Sequence, residues 1–188
     1  MEACRPATED DLPRLADLAR LAIAELTPMK GGDVWADREA RDEPLDENLK
    51  RALVDPDTRV LCGTIDGAVI GYAVVRIEPL RDGGRLGVLD DIFVEPGARE
   101  VGVGEALVND VIAWCREADC IGIDSFALPG NRQTKNFFET FGFTARMLVV
   151  HKRFRERVAE PAEGGDGSVA DEAGFDGPGV NAAGVGAA

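Results

Sequence analysis

One histidine, His151, serves the whole chain, and that scarcity removes most of the support for a zinc site, whose ligand sets draw on His and Cys. No metal is therefore expected. The four cysteines, Cys4, Cys62, Cys115 and Cys120, show no C-x-x-C spacing. Cys62 and Cys115 lie in apolar patterns, so buried thiols in reducing surroundings are expected. Nothing approaches the ~18 consecutive apolar residues that suggest a membrane span. The start MEACRPATEDD has neither the basic opening nor the apolar stretch of a signal peptide. A soluble, cytoplasmic protein with no membrane partner is the expectation. Basic residues are also in short supply: 21 Lys and Arg against 35 Asp and Glu give a net charge of −14, so a nucleic-acid backbone would be repelled.

The charges that are present are unevenly placed. After Arg157 there is no Lys or Arg, Gly and Ala dominate, and Glu160, Glu163, Asp166, Asp171, Glu172 and Asp176 are the only charges. Such a stretch cannot bury enough apolar surface to offset its ordering entropy. Residues 156–188 are read as a disordered, acidic, Gly/Ala-rich tail and residues 1–155 as one domain. Losing those six acids takes the formal charge from −14 to −8, still acidic. With 188 residues and 45% hydrophobic content, the chain can bury one ordinary core and is too short for two.

Periodicity places the elements. Glu2 to Pro6 reads as a short strand, and Thr8 with Asp11 three residues on as the cap of a helix running to about Leu26, whose apolar face is Leu12, Leu15, Leu18, Ala22 and Leu26. Thr27 to Pro44, with its Gly pair, Trp35 and many charges, reads mostly as a loop. Leu45 to Leu53 supplies a second helix. Arg59–Ile65 and Ala68–Ile77 are strand-like runs separated by Asp66-Gly67, a strong hairpin signal. Asp82-Gly83-Gly84 turns into a strand from Arg85 to Val94. Ile121–Ala127 is a further strand, Asn131 opens a short helix that stops at Gly142, and Met147–Val150 reads as a last strand. The order fits a mixed α/β domain with a central sheet.

The most telling stretch is LDDIFVEPGAREVGVGEAL, Leu89 to Leu107. Ile92, Phe93 and Val94 end a strand, Pro96-Gly97 stops it, and an amphipathic helix runs from Glu105 with Leu107, Val108, Val111, Ile112 and Cys115 on one face. At the junction lies Arg99-x-x-Gly102-x-Gly104. Glycines let the main chain approach a ligand, and the free N–H groups and dipole of a new helix attract an anion such as a pyrophosphate. No Lys or Ser/Thr follows Gly104, which excludes the P-loop, and the six-residue dinucleotide fingerprint is missing.

A strand ending V-x-P, then Arg99-x-x-Gly102-x-Gly104 opening a helix, then a strand, Asn131, Phe138-Glu139 and Gly142-Phe143, resembles the GNAT superfamily of acetyl-CoA-dependent N-acetyltransferases over roughly residues 3 to 154. The resemblance implies an α/β (α+β mixed) fold with a central, mostly antiparallel sheet flanked by helices. It implies acetyl-CoA as acyl donor, bound along Ile92, Phe93, Val94, Arg99, Glu100, Val101, Gly102, Val103, Gly104 and Glu105, with Asn131 and Phe138 beside it. Asn131 serves the cofactor in this reading, or simply caps its helix. Phe138 stands where the family carries a tyrosine, so it keeps the packing but has no proton to give. The family also places two strands after the asparagine helix, where this sequence has room for one long or bent strand.

Acyl transfer to an amine needs an unprotonated nucleophile, a stabilised oxyanion and a proton for the leaving thiolate. An alkyl ammonium has a reference pKa of ~10.4, so a carboxylate or water chain is the expected proton acceptor. Asp91 and Asp90 stand just ahead of the strand end that the resemblance places beside the thioester. As strand neighbours they should point to opposite faces, so only one, preferably Asp91, would face the pocket. Asp124, within IGIDSFA, is a further candidate base, or a hydrogen-bonded structural aspartate. The oxyanion donor would be a main-chain N–H near Phe93 or Val94.

Glu100 and Glu105 must turn away from any phosphate, because a carboxylate ~4 Å from one would cost about 4 kcal/mol at an effective dielectric of ~20. That leaves Arg99, Arg132 and Lys135 to meet the cofactor's charge. The expected activity is transfer of acetyl from acetyl-CoA to a primary amine of a small molecule or protein by direct attack. The acidic residues lean towards a cationic acceptor, and a homodimer stays open. The alternative is a non-catalytic module of this fold that binds acyl-CoA as a sensor or interaction domain, for which the missing tyrosine and the two glutamates argue.

Overall fold

A computed structural model describes residues 1–155 of the protein. The acidic tail expected over 156–188 lies outside the described residues. Residues 1–144 form one compact unit, and the chain from Ala145 belongs to a second.

In the first unit five strands form one sheet in sequence order: β1 (Glu2–Pro6), β2 (Thr58–Ile65), β3 (Ala68–Pro79), β4 (Arg85–Val94) and β5 (Ile123–Ser125). The first four pair antiparallel, and β5 joins β4 in parallel. The helices are α1 (Leu12–Leu26), α2 (Gly32–Arg38), α3 (Leu45–Val54), α4 (Val103–Glu117) and α5 (Arg132–Thr140). The α/β class with a mostly antiparallel sheet flanked by helices is thus observed.

Alternation along the strands builds a core on each side of the sheet. Val60, Cys62, Tyr72, Val74 and Phe93 face α1 and α3, meeting Leu15, Leu18, Leu45 and Leu49. Leu61, Ala73, Val75 and Leu89 face α4, meeting Val103, Leu107, Val111 and Cys115, with Phe138 of α5 in the same cluster. The start of α1 is locally encoded. Thr8 donates both its N–H and its hydroxyl to the Asp11 carboxylate, which also takes two hydrogen bonds of 2.7 Å from the Arg5 guanidinium. Tyr72 is a core residue, 1% exposed, and all four cysteines are free, with Cys62 and Cys115 buried.

Four details differ from the sequence reading. The segment after α1, read as loop, contains α2: Gly31 takes φ +80° as its N-cap, and Gly32 packs where a Cβ would come within 2.0 Å of the Leu26 carbonyl. The Gly pair therefore starts a helix. α4 begins at Val103, ahead of Glu105. β5 is confined to Ile123–Ser125, because only those residues have partners on β4. Met147–Val150 is not a strand. Its four side chains are largely exposed and the run is irregular, since an apolar run becomes a strand only when another strand supplies its hydrogen-bond partners. Among the described residues of the second unit, Lys152 places its ammonium over the Phe154 ring at 5.7 Å.

Candidate functional site

The site is built around an irregularity in β4. Opposite it on β3, Val74 faces Asp91 and Val75 faces Leu89, which leaves Asp90 without a cross-strand partner. This is a β-bulge, and it undoes the alternation on which the sequence expectation rested. Directly opposed residues share a face. Asp91 therefore lies with Val74 on the α1/α3 side, and Asp90 reaches Arg76 on that side too. Both aspartates, and not one of them, meet the same space.

Each carboxylate has its own cation. Arg41, from the segment between α2 and α3, donates Nε to Asp91 Oδ2 and Nη1 to Asn48 Oδ1 at 2.8 Å. Both partners of the Arg41–Asp91 pair are nearly enclosed, at 13% and 14% exposure. Arg76 donates Nε to Asp90 Oδ2 at 2.9 Å and Nη1 to Glu78. Burial pushes both carboxyls above the ordinary aspartate range, opposed at Asp91 by Arg41 and at Asp90 chiefly by Arg76. The Tyr72 hydroxyl is also driven well above its usual value, by burial and then by the Asp91 charge.

Two adjoining cavities open here. One, of about 230 Å³, is lined by Glu39, Ala40, Arg41, Asn48, Asp90 and Asp91. The other, of about 200 Å³, adds Arg51, Ala52, Asp55, Thr58, Val74 and Arg76 to Arg41, Asn48 and Asp90. No aromatic side chain lines either one. Asp124 sits on β5 opposite Val88, in register with the same stretch of β4 and part-buried.

Past the bulge β4 loses its neighbour. β5 pairs only with Gly87, Val88 and Leu89, so the edge of β4 from Asp90 to Val94 that faces away from β3 has no strand beside it among the described residues. Main-chain groups of alternate residues point out along that edge. The strand then runs through a short 3₁₀ turn at Pro96–Ala98 into the glycine-bearing loop. Glu100 holds φ +67° and Gly102 φ +93°, and no side chain caps the first turn of α4. Glu100 and Glu105 are exposed. Gly104 serves packing: a Cβ there would come within 3.3 Å of the Phe137 ring.

The loop is moored to α1. Glu25 receives two hydrogen bonds from Arg99 Nη2, at 2.7 and 3.0 Å, while Arg99 Nε donates to the Val94 carbonyl at 2.9 Å and the guanidinium lies over the Phe93 ring. Arg14 pairs with Glu95 at 2.9 Å. Lys135 pairs with Glu139, so of the three cations expected to meet an anion only Arg132 has no ion pair among the described residues. Asn131 caps α5, its Oδ1 accepting from the Thr134 N–H at 3.1 Å, and its Nδ2 lies 3.7 Å from Met29 Sδ. Phe138 is enclosed in the α4-side core against Phe143.

The loop and the residues around it fit an acyl-CoA: an uncapped helix start for phosphates, a backbone turn open at Gly102, and a free strand edge leading to a carboxylate pair. Among the described residues no group of three or more His, Cys, Asp or Glu is arranged to hold a metal, and no helix is long and apolar enough to cross a membrane. Sequence reasoning missed Arg41, Asn48, Arg76, Glu25 and Arg14. Only Arg76 had a usable signal, since it lies one strand over from the acidic pair.

The acetyltransferase (GNAT) family model matches residues 20–143. A glucosamine 6-phosphate N-acetyltransferase of Trypanosoma brucei brucei is 31% identical over 90 residues, 47% of this chain; the chain spans only 59% of that relative's length. An aminoglycoside N(6')-acetyltransferase type 1 of Stenotrophomonas maltophilia is 32% identical over 125 residues, 64% of this chain and 79% of the relative. Among solved structures, AAC(6')-Iy in complex with a CoA bisubstrate analogue superposes with a TM-score of 0.64 at 21% identity, over 82% of this chain and 99% of that one. That likeness concerns the fold.

Proposed function

The chain belongs to the GNAT family of acetyltransferases, and from that premise we propose that it carries acetyl from acetyl-CoA to a primary amine of a small, polar, cationic acceptor by direct attack. The observation that carries this reading is the bulge at Asp90, which turns two carboxylates onto one face, at the rim of a polar cavity, on the strand that continues into the glycine loop.

Bound acetyl-CoA supplies the activated acetyl thioester. The phosphates would be held by the N–H groups at the start of α4, from Gly102 to Glu105, with Arg132 adding charge. Arg99, gripped by Glu25, fixes the loop's approach. Main-chain groups on the open edge at Ile92 to Val94 would pair with the pantetheine arm, and one N–H there would face the carbonyl oxygen as negative charge develops on it.

The Asp90-Asp91 pair attracts the acceptor's ammonium and takes its proton, freeing the nitrogen to attack. Burial helps, because a carboxyl held above its ordinary pKa is a stronger base at neutral pH. Phe138 cannot protonate the departing thiolate, and Tyr72 is enclosed on the carboxylate side of the sheet with its hydroxyl held well above its usual pKa, so we assign the proton to water. Asp124 is a secondary candidate from β5. The named relatives act on aminoglycosides and glucosamine 6-phosphate, and a cavity without aromatic lining suits amines of that polar kind. Free cysteines suit the reducing cytoplasm, where we place the protein.

The test is release of CoA thiol across a panel of neamine, glucosamine 6-phosphate, spermidine and a lysine peptide. Release that depends on a polar amine and is lost in an Asp90→Asn/Asp91→Asn variant is expected. Acetyl-CoA binding with no amine-dependent release would instead favour a non-catalytic acyl-CoA-binding role.

A further inference from the structure

We propose that Arg41 is a positioning residue for the carboxylate pair: by locking Asp91 from the segment between α2 and α3, it leaves Asp90, pushed onto the same face by the bulge, as the group that takes the acceptor's proton. The inference rests on the amine-acetylation reading and divides the labour within it.

Arg41 is nearly enclosed; among the described residues its other hydrogen bond goes to the neutral amide of Asn48, and Asp90 acts on it through its charge without a direct contact. A proton on Asp91 would strand a desolvated guanidinium, which is strongly unfavourable. Arg76 is 40% exposed and bonds Glu78 as well as Asp90. A proton on Asp90 strands nothing, because Glu78 and solvent keep the cation. Asp90 can therefore gain and lose a proton, while Asp91 stays ionised against Arg41.

The electrostatic surroundings agree. Glu39 and Arg41 face the pair from the segment after α2, Arg51 and Asp55 from α3 and its end, Arg76, Glu78 and the Tyr72 hydroxyl from β3, and Asp124 lies on β5 in register with Val88. Burial raises both carboxyls; Arg76 and then Arg41 counter this at Asp90, and Arg41, in direct contact, counters it at Asp91. Two neighbouring carboxyls in unlike settings titrate as a pair in two separated steps.

The experiment is an NMR titration of aspartate carboxyl carbons in protein labelled with ¹³C at that position, on wild type, D90N, D91N, R41Q, R41K and the R41Q/D91N double variant. The upper step should vanish in D90N and persist in D91N and in the double variant, which removes both members of the enclosed pair and leaves no orphan charge. R41Q should raise the lower step by about one pH unit, and R41K should restore it. In turnover with neamine or glucosamine 6-phosphate, D90N should lower kcat by about 100-fold or more and flatten the acid limb of kcat/KM, with KM for acetyl-CoA unchanged. R41Q should keep that limb but move it to higher pH. Loss of the upper step in D91N but not D90N, or an R41Q titration identical to wild type, would overturn the proposal. If neither amine is acetylated, the acceptor reading fails, and the NMR steps still uphold or overturn the division of labour.

Discussion

Replacing Gly102 by alanine and, separately, by glutamate separates the backbone's needs from the ligand's charge. Gly102 holds φ +93° and ψ −7° as the residue before α4. A Cβ placed there would find its nearest neighbour, Glu2 Cγ, at 3.8 Å, so the alanine creates no clash and the two variants share the same Cβ environment. The cost to the free protein is that of the left-handed backbone alone, about 1–2 kcal/mol. In a protein of this length that lowers Tm by ~2–4 °C per kcal/mol, and by a similar amount in both variants. With a pyrophosphate on the α4 amides, the glutamate alone adds a carboxylate about 4 Å from a phosphate, worth ~4 kcal/mol at an effective dielectric of ~20. That corresponds to a loss of about 10³-fold in affinity, or ~10²-fold if the side chain swings partly away. Isothermal titration with acetyl-CoA and with CoA should therefore show Gly102→Ala binding several-fold weaker than wild type and Gly102→Glu weaker again by at least ~10²-fold. Part of the gap should close at ~1 M salt, where screening reaches ~3 Å. Equal affinities for the two variants would refute the phosphate cradle and leave Gly102 a plain turn residue.

Two further outcomes follow from the core. Asp11→Ala should destabilise the fold by about 2–3 kcal/mol in urea unfolding, less than the ~3–5 kcal/mol of a fully enclosed pair because Arg5 reaches solvent. The Arg5 guanidinium holds the Asp11 carboxyl well below its ordinary range, so the pair's stabilisation is complete above pH ~4 and fades as acid takes the solution through the lower, folded pKa. Wild type should lose stability over that acid window more steeply than the variant, and parallel curves would contradict the assignment. Burial lifts the Cys62 and Cys115 thiols to about 12, so both should resist a disulfide reagent at pH 8 in the native state and react at once in denaturant. Rapid native labelling at either would contradict their enclosure.

What the sequence conveyed was local. Asp66-Gly67 specifies a hairpin within two residues, Thr8 and Asp11 cap the 3₁₀ turn Glu9–Asp11 that leads into α1, and Arg99 to Gly104 marks the junction of strand and helix wherever the rest of the chain goes. What escaped depends on distant partners. Asp90 and Asp91 point to one face only because β3 skips a residue in pairing with β4, and nothing in the letters DD records that skip. The Arg41–Asp91 and Arg99–Glu25 pairs join positions 50 and 74 residues apart. The Gly31-Gly32 pair was misread because glycine marks turns, whereas here it lets α2 start directly against the end of α1. Met147–Val150 has the composition of a strand, but composition cannot provide a ladder partner.

The most direct test of the account is a single-turnover reaction followed by mass spectrometry: the protein is mixed with stoichiometric acetyl-CoA, then with neamine or glucosamine 6-phosphate, and acetyl is located on protein and amine while CoA thiol is counted. Direct attack predicts an unmodified protein before the amine is added, then one acetylated amine for each thiol released, with the rate falling sharply in Asp90→Asn. Acetyl found on the protein before the amine arrives, or thiol released without acetylated amine, would contradict it.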